Sequence, residues 1–344
     1  MHEAMFWEKS GESVKCQLCP WNCTITEGHR GQCGVRENRD GKLYSLVYGK
    51  PISASVDPIE KKPLFHFAPG TECLSLATVG CNLHCSFCQN WEISQPGDIF
   101  GYAMEPEEIV AAAKEKSVPG IAYTYTEPTI FFEYALDTMK LARKEGLYNV
   151  WVSNGYTNPA PAAEAAKYMD AINVDMKGDV RFYKELCGVP DEGPVKEALM
   201  VYRKAGVWIE ITNLVIPGFN DGKEQVGKLA SWVKENLGDI PLHFSRFHPQ
   251  YKLSENKPTP AATLEMASET AREAGLRWVY IGNLPGKGES TLCPECGAVL
   301  VERKGFGTTT FKSKCDKCGI EVPIAGKEYL SDDNGRRQSE EEDK

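Results

Sequence analysis

Cys81, Cys85 and Cys88 stand in the run CNLHCSFC, directly after an apolar stretch. Iron–sulfur clusters of the 4Fe–4S kind take four thiolates, so a compact set of three leaves one iron open to an exchangeable ligand, which is a place for chemistry. The competing reading is zinc with a distant fourth ligand, but zinc cysteines usually come in CxxC pairs. Such pairs occur elsewhere. Cys293-x2-Cys296 and Cys315-x2-Cys318, eighteen residues apart and each followed by Gly, read as a zinc ribbon, with a rubredoxin-like iron site as the alternative. A third group, Cys16-x2-Cys19-x3-Cys23-x9-Cys33, could close either a zinc site or an auxiliary iron–sulfur cluster, and its spacing does not choose. Of the 13 cysteines only Cys73 and Cys187 fall outside these groups, and both read as small buried hydrophobes.

Clustered thiols call for a reducing compartment. No apolar run approaches the roughly 18 residues of a membrane span, and MHEAMFWEKS lacks the apolar core of a signal peptide, so a cytoplasmic protein without a membrane partner is expected. A net charge of -9 over 344 residues argues against a nucleic-acid-coating surface.

The elements that must position these groups alternate. Apolar, β-branched runs predict strands over 74–79, 120–125, 149–153, 171–175, 208–215, 242–247 and 278–281. Amphipathic patterns between them predict helices over 105–116, 129–145, 160–168, 194–205, 223–236 and 263–274, with Gly146, Gly206 and Gly275 at helix ends. Strand–helix units of this kind make an α/β fold. Residues 1–50 and 290–325 lack the pattern and read as metal-binding satellites of a 51–289 core, while the charged 326–344 reads as a disordered tail.

Polar motifs fall where the predicted strands end, the position at which barrel loops carry function. Phe87 and Asn90 flank the last cysteine of the first loop. Thr126 and Glu127 lie in YTYTEPT, where a helix start and a carboxylate could bind an ammonium. Ser153-Asn154-Gly155 offers short polar groups, Asp175 and Lys177 in VDMKG a charged pair, Val215 and Ile216 in LVIPGFND an apolar shelf, and His248 in RFHPQY a ligand or acid–base group.

Taken in order, CNLHCSFCQNW, YTYTEPT, SNG, VDMKG, VIPGFND and RFHPQY resemble the radical S-adenosylmethionine (SAM) superfamily, close to the pyruvate formate-lyase activases, over about residues 16–285. The preceding C-x-L-C-P-x-x-C…G-x-C-G-V-R-E-N element is similar to the radical SAM member of the AmmeMemoRadiSam system. The resemblance implies an open six-unit (β/α) partial TIM barrel and a 4Fe–4S cluster on Cys81, Cys85 and Cys88, with SAM chelating the open iron. It implies that Phe87, Val215 and Ile216 meet the adenine, and that Asn90, Thr126, Ser153, Asn154, Gly155, Asp175 and Lys177 hold the rest of SAM. Glu127 is expected to take the SAM ammonium, although Thr126-Glu127-Pro128 departs from the family's Gly-Gly-Glu run. Reductive cleavage of SAM to a 5′-deoxyadenosyl radical follows, then hydrogen abstraction from a substrate the resemblance does not name. Implied partners are a low-potential donor such as ferredoxin or flavodoxin and Memo-like and AMMECR-like proteins. Two other readings stay open, glycyl-radical installation on a partner enzyme and a metal-binding adaptor with a structural cluster. The ribbon is expected to lie outside the active site, serving docking or stability.

Overall fold

The computed structural model describes residues 1–95, 97–284 and 286–330. Eight strands build the central sheet: β1 Ser53–Pro58, β2 Glu72–Ala77, β3 Gly120–Tyr123, β4 Tyr148–Ser153, β5 Ala171–Asp175, β6 Trp208–Val215, β7 Leu242–Arg246 and β8 Val279–Gly282. They lie in chain order, β2 to β8 all parallel, with β1 antiparallel to β2 at one edge. Six helices cross between the parallel strands: α1 Pro106–Glu115, α2 Phe132–Lys144, α3 Pro159–Ala166, α4 Gly193–Lys204, α5 Lys223–Leu237 and α6 Ala261–Glu273. This is the expected open six-unit partial barrel, since β1 and β8 do not pair with each other. Strand β1, SASVDP, was not among the predicted strands. It is too polar for an apolar pattern to reveal it, as an edge strand facing a polar lumen can be.

Period-two alternation splits the sheet into two environments. Ile121, Ile172, Val174, Ile209, Ile211 and Phe244 join the helices in the main core, whereas Cys73, Ala122, Val150 and Ala171 join a second cluster with Ile59, Leu64, Phe67 and Ala68. Residues 59–71 therefore plug one end of the barrel. Polar groups on the inner face fasten this plug. Glu210 accepts hydrogen bonds from Phe65 N (2.9 Å) and His66 N (2.7 Å), and Asn173 donates to the Pro63 carbonyl (2.8 Å).

Neither terminal segment is a satellite. Residues 1–50 form two three-stranded sheets, yet Val14, Leu18, Ile25, Val35 and Leu43 share the main core with the barrel helices, and a fully buried Arg36–Glu133 pair (3.1 Å) crosses the seam. The C-terminal strands Thr291–Leu292, Val299–Lys304 and Gly307–Phe311 carry Leu300 and the cysteine knuckles onto Phe65, Trp278 and Tyr280, covering the plug and β8. Residues 326–330, expected in the tail, instead form a turn that brings Tyr329 onto Phe67 and Tyr148. The rest of that tail, 331–344, lies outside the described residues. No helix among the described residues is long and apolar enough to cross a membrane.

Candidate active site and metal centres

The loop after β2 turns at Gly80, whose φ of +98 and crowded surroundings admit no side chain: a Cβ there would lie 2.5 Å from Val35 Cγ1 and 2.9 Å from the Cys33 carbonyl oxygen. The turn points the three cysteines along the barrel mouth, where donors from other loops meet them. Leu83 N (3.4 Å) and Asn154 Nδ2 (3.7 Å) donate to Cys81 Sγ, and Ser94 Oγ lies 3.2 Å from Cys88 Sγ. The loop is held in place by His84 N and Ser86 N donating to the carbonyls of Cys187 and Leu186, and by Lys252 N donating to Ser86 O. Burial pushes the Cys81 and Cys88 thiols up, so these thiolates need a metal to be stable. The hydrogen bond with the Cys187 thiol, and then the Lys177 ammonium, hold Cys85 below its ordinary value. Cys187 is thus more than the inert hydrophobe its isolation in the sequence suggested.

The expected SAM-side residues converge on this loop. Lys177 Nζ sits 2.9 Å from Asp175 Oδ2 and 5.6 Å from the centre of the Phe87 ring; burial opposes its charge, but Asp175 and Cys85 hold it protonated. Asn90 Nδ2 donates to the Tyr125 carbonyl (2.7 Å), and Thr126 Oγ1 to the Thr78 carbonyl (2.8 Å). Val215 and Ile216 are buried, their segment tied to the loop after β5 by Asn220, which accepts from Ile216 N and donates to Lys177 O (both 2.7 Å). Gly155 has a φ of +70, and a Cβ there would meet Val174 and Val195 at 2.8 Å.

Glu127, expected to take the SAM ammonium, is buried among protein donors. Its carboxylate is 0 % exposed and accepts from Thr129 N (3.0 Å), Ser153 Oγ (2.8 Å) and Asn154 N (2.7 Å). It shapes the Ser153–Asn154 loop, which in turn aims Asn154 at Cys81. Burial raises its pKa and those donors oppose the rise.

His248 is exposed and lines a cavity of about 920 Å³ that runs from Gln89, next to the cluster loop, past Thr212, His243 and Ser245 to Arg303 and Phe306 of the ribbon. Arg303, Lys304, Gly305 and Phe306 of the ribbon thus wall a cavity that reaches Gln89, the residue after Cys88. Sequence reading also missed the lumen's charges. Asp57 pairs with Lys62 (2.8 Å) and Lys61 (2.6 Å) and accepts from Ser75 (2.6 Å) and the Tyr125 hydroxyl. Burial would raise the Asp57 pKa, but the two lysines hold it well below the carboxylate range. Tyr125 pays for this contact with a left-handed φ of 66, uncommon for an aromatic residue. The signal available in the sequence was one Asp and two Lys in a segment with no motif.

Residues 75–231, which contain Cys81, Cys85 and Cys88, match the Radical SAM superfamily. The chain carries a Radical SAM domain over that stretch. It is 48% identical over 334 residues to the uncharacterized protein MJ0808 of Methanocaldococcus jannaschii, covering 94% of this chain and 99% of the relative. It is 25% identical over 197 residues to the pyruvate formate-lyase-activating enzyme of Clostridium pasteurianum, across 51% of this chain and 80% of that one. A radical SAM methyltransferase from Sphaerobacter thermophilus shares the fold, with a TM-score of 0.50 at 16% identity over 67% of this chain and 70% of that chain. Such a domain supports an enzyme and implies a 4Fe–4S cluster and SAM. The residues fit the cluster: three soft thiols among N–H donors, and more widely set than a single ion would hold them. Among the described residues only Cys293, Cys296, Cys315 and Cys318 gather within 4.8 Å of one another. In that C-terminal metal site Cys293–Cys318, Cys296–Cys315 and Cys296–Cys318 stand 3.2, 3.5 and 3.9 Å apart.

Proposed function

We propose that this enzyme reductively cleaves SAM at a cluster held by Cys81, Cys85 and Cys88, and abstracts hydrogen from a small molecule or protein side chain admitted to the cavity between barrel and ribbon. When bound, the cluster and SAM supply a one-electron cleavage that yields a 5′-deoxyadenosyl radical. The chain's own residues hold and shield. Asn154 and Ser94 stabilise thiolate charge; the Asp175–Lys177 pair and Asn90 present polar groups to SAM; Phe87, Val215 and Ile216 offer apolar surface to its adenine. Thr126 and Gly155 shape the backbone on which it rests. Glu127 acts through Ser153 and Asn154. His248, at the cavity rim, is placed to meet substrate.

The observation that carries this reading is the 920 Å³ cavity between barrel and ribbon, which reaches Gln89, the residue after Cys88, and sets Thr212, His243, His248 and Arg303 among apolar groups. A structural cluster in an adaptor would have no use for such a chamber. Similarity to a pyruvate formate-lyase-activating enzyme favours glycyl-radical installation as a second reading; a persistent radical on a partner, seen by electron paramagnetic resonance, would pick it out. We assign zinc to the C-terminal site, because its sulfur spacing suits one tetrahedral ion. A low-potential ferredoxin or flavodoxin would supply the electron, and Memo-like and AMMECR-like proteins remain the proposed partners within an AmmeMemoRadiSam system. The test is anaerobic reconstitution with iron and sulfide, then an assay for 5′-deoxyadenosine. Turnover of SAM is expected; a fully iron-loaded protein that releases none would overturn the reading.

A further inference from the structure

Cys16, Cys19, Cys23 and Cys33 come from different turns of the N-terminal sheets, yet all four line one small void together with Gly31, Gln32, Arg36 and Ile130. Two metal types suit four thiols, and geometry separates them. A tetrahedral zinc holds each sulfur about 2.3 Å away, which sets the sulfurs roughly 3.8 Å apart and leaves nothing between them but the ion. The C-terminal set has that spacing, at 3.2 to 3.9 Å. The N-terminal set does not gather within 4.8 Å as the C-terminal set does, so its sulfurs are set wider than one tetrahedral ion would hold them. A cluster, which interposes several iron and sulfide atoms between its thiolates, needs that wider frame.

A second observation points to an occupant that carries negative charge. Arg36 lines the same void and is 1 % exposed. Its guanidinium pairs with Glu133 (3.1 Å) and donates to the Met5 carbonyl, but its Nε is buried without a partner. An orphaned cationic donor inside a four-thiol pocket is costly unless the pocket holds an anionic thiolate complex. Gln32 N also donates to Cys23 Sγ (3.5 Å), the kind of amide contact that tunes cluster thiolates.

We propose that Cys16, Cys19, Cys23 and Cys33 bind a second iron–sulfur cluster, with Arg36 as its buried counter-charge. The site adjoins the first: the Cys33 carbonyl abuts Gly80, and Trp21 Nε1 donates to the Asn82 carbonyl (2.7 Å). The inference does not depend on SAM chemistry, and its test is built to be separate. The Cys81→Ala, Cys85→Ala, Cys88→Ala triple variant of the full chain is loaded anaerobically with iron and sulfide, and iron, acid-labile sulfide and zinc are counted per chain. We expect two to about four irons with matching sulfide to remain beside one zinc, with a Mössbauer doublet of cluster iron. Adding Cys23→Ser, which alters a half-exposed ligand, should remove that iron and leave the zinc. Two zincs and no iron, or one zinc alone, would overturn the proposal. If the triple variant does not fold, the wild-type count decides between six to about eight irons, as expected, and about four, which overturns it.

Discussion

Asn154 links the two halves of the site: one end of its side chain faces Cys81 and its backbone N–H is gripped by Glu127. Because that carboxylate satisfies three buried donors, Glu127→Ala should cost about 2–3 kcal/mol of folding stability as well as SAM affinity, and Glu127→Gln should cost nearly as much, since an amide NH2 would face an N–H or O–H. Urea denaturation beside a SAM titration checks this. Unchanged stability with weakened binding would return Glu127 to direct contact with SAM. Replacing Cys81, Cys85 or Cys88 singly by Ala should abolish 5′-deoxyadenosine release while circular dichroism stays native, because these residues sit on a loop outside the hydrogen-bonded sheet. Full product release by any one of the three would refute the cluster assignment.

At the level of elements, the plug over 59–71 is bound to the strands by polar groups that must keep one protonation state. His66 is fully buried between the Tyr280 hydroxyl and the Pro323 carbonyl (3.1 Å), and burial pushes its pKa down to about 4. The folded state therefore binds the neutral ring, while the unfolded chain takes up a proton near pH 6.5. Its contribution is complete above pH ~6.5 and drains as the pH falls toward 4, by up to roughly 3 kcal/mol. The melting temperature should fall across that window, and His66→Gln should flatten the slope. Identical pH profiles for the two proteins would remove His66 as the cause.

For the whole molecule, the ribbon is part of the core. It covers Phe65, Trp278 and Tyr280, and its Arg303 reaches the buried Glu60 at 3.6 Å and donates to the Phe65 carbonyl (2.6 Å). Deleting everything after Glu289 would expose three aromatics, each stabilised by about 1.5–3 kcal/mol on burial, and strand the Glu60 charge, against a total stability of roughly 5–15 kcal/mol. We expect that truncated chain to be insoluble or molten, whereas Cys296→Ser in the full chain should lose the ribbon's metal and melt at a lower temperature. A truncated protein that melts cooperatively near the wild-type temperature would show the ribbon to be a true satellite.

Much of this was written locally in the chain. Periodicity located β2 to β8 and the six helices within a few residues, because each strand buries an apolar face against those helices. Thiol spacing separated three cysteine groups, because ligands on one short loop can meet one centre. What no local pattern could carry were contacts between residues distant in sequence. The Asp57–Lys62–Tyr125 cluster, the turning of Glu127 inward, Cys187 beside Cys85, and Arg303 at the cavity wall arise only when the sheet curls and brings residues from different strand ends and loops together. The two four-cysteine groups look alike as strings. Only the packing around them decided that one closes tightly and the other stays open around a buried arginine, since sulfur spacing is set by the elements that carry the thiols.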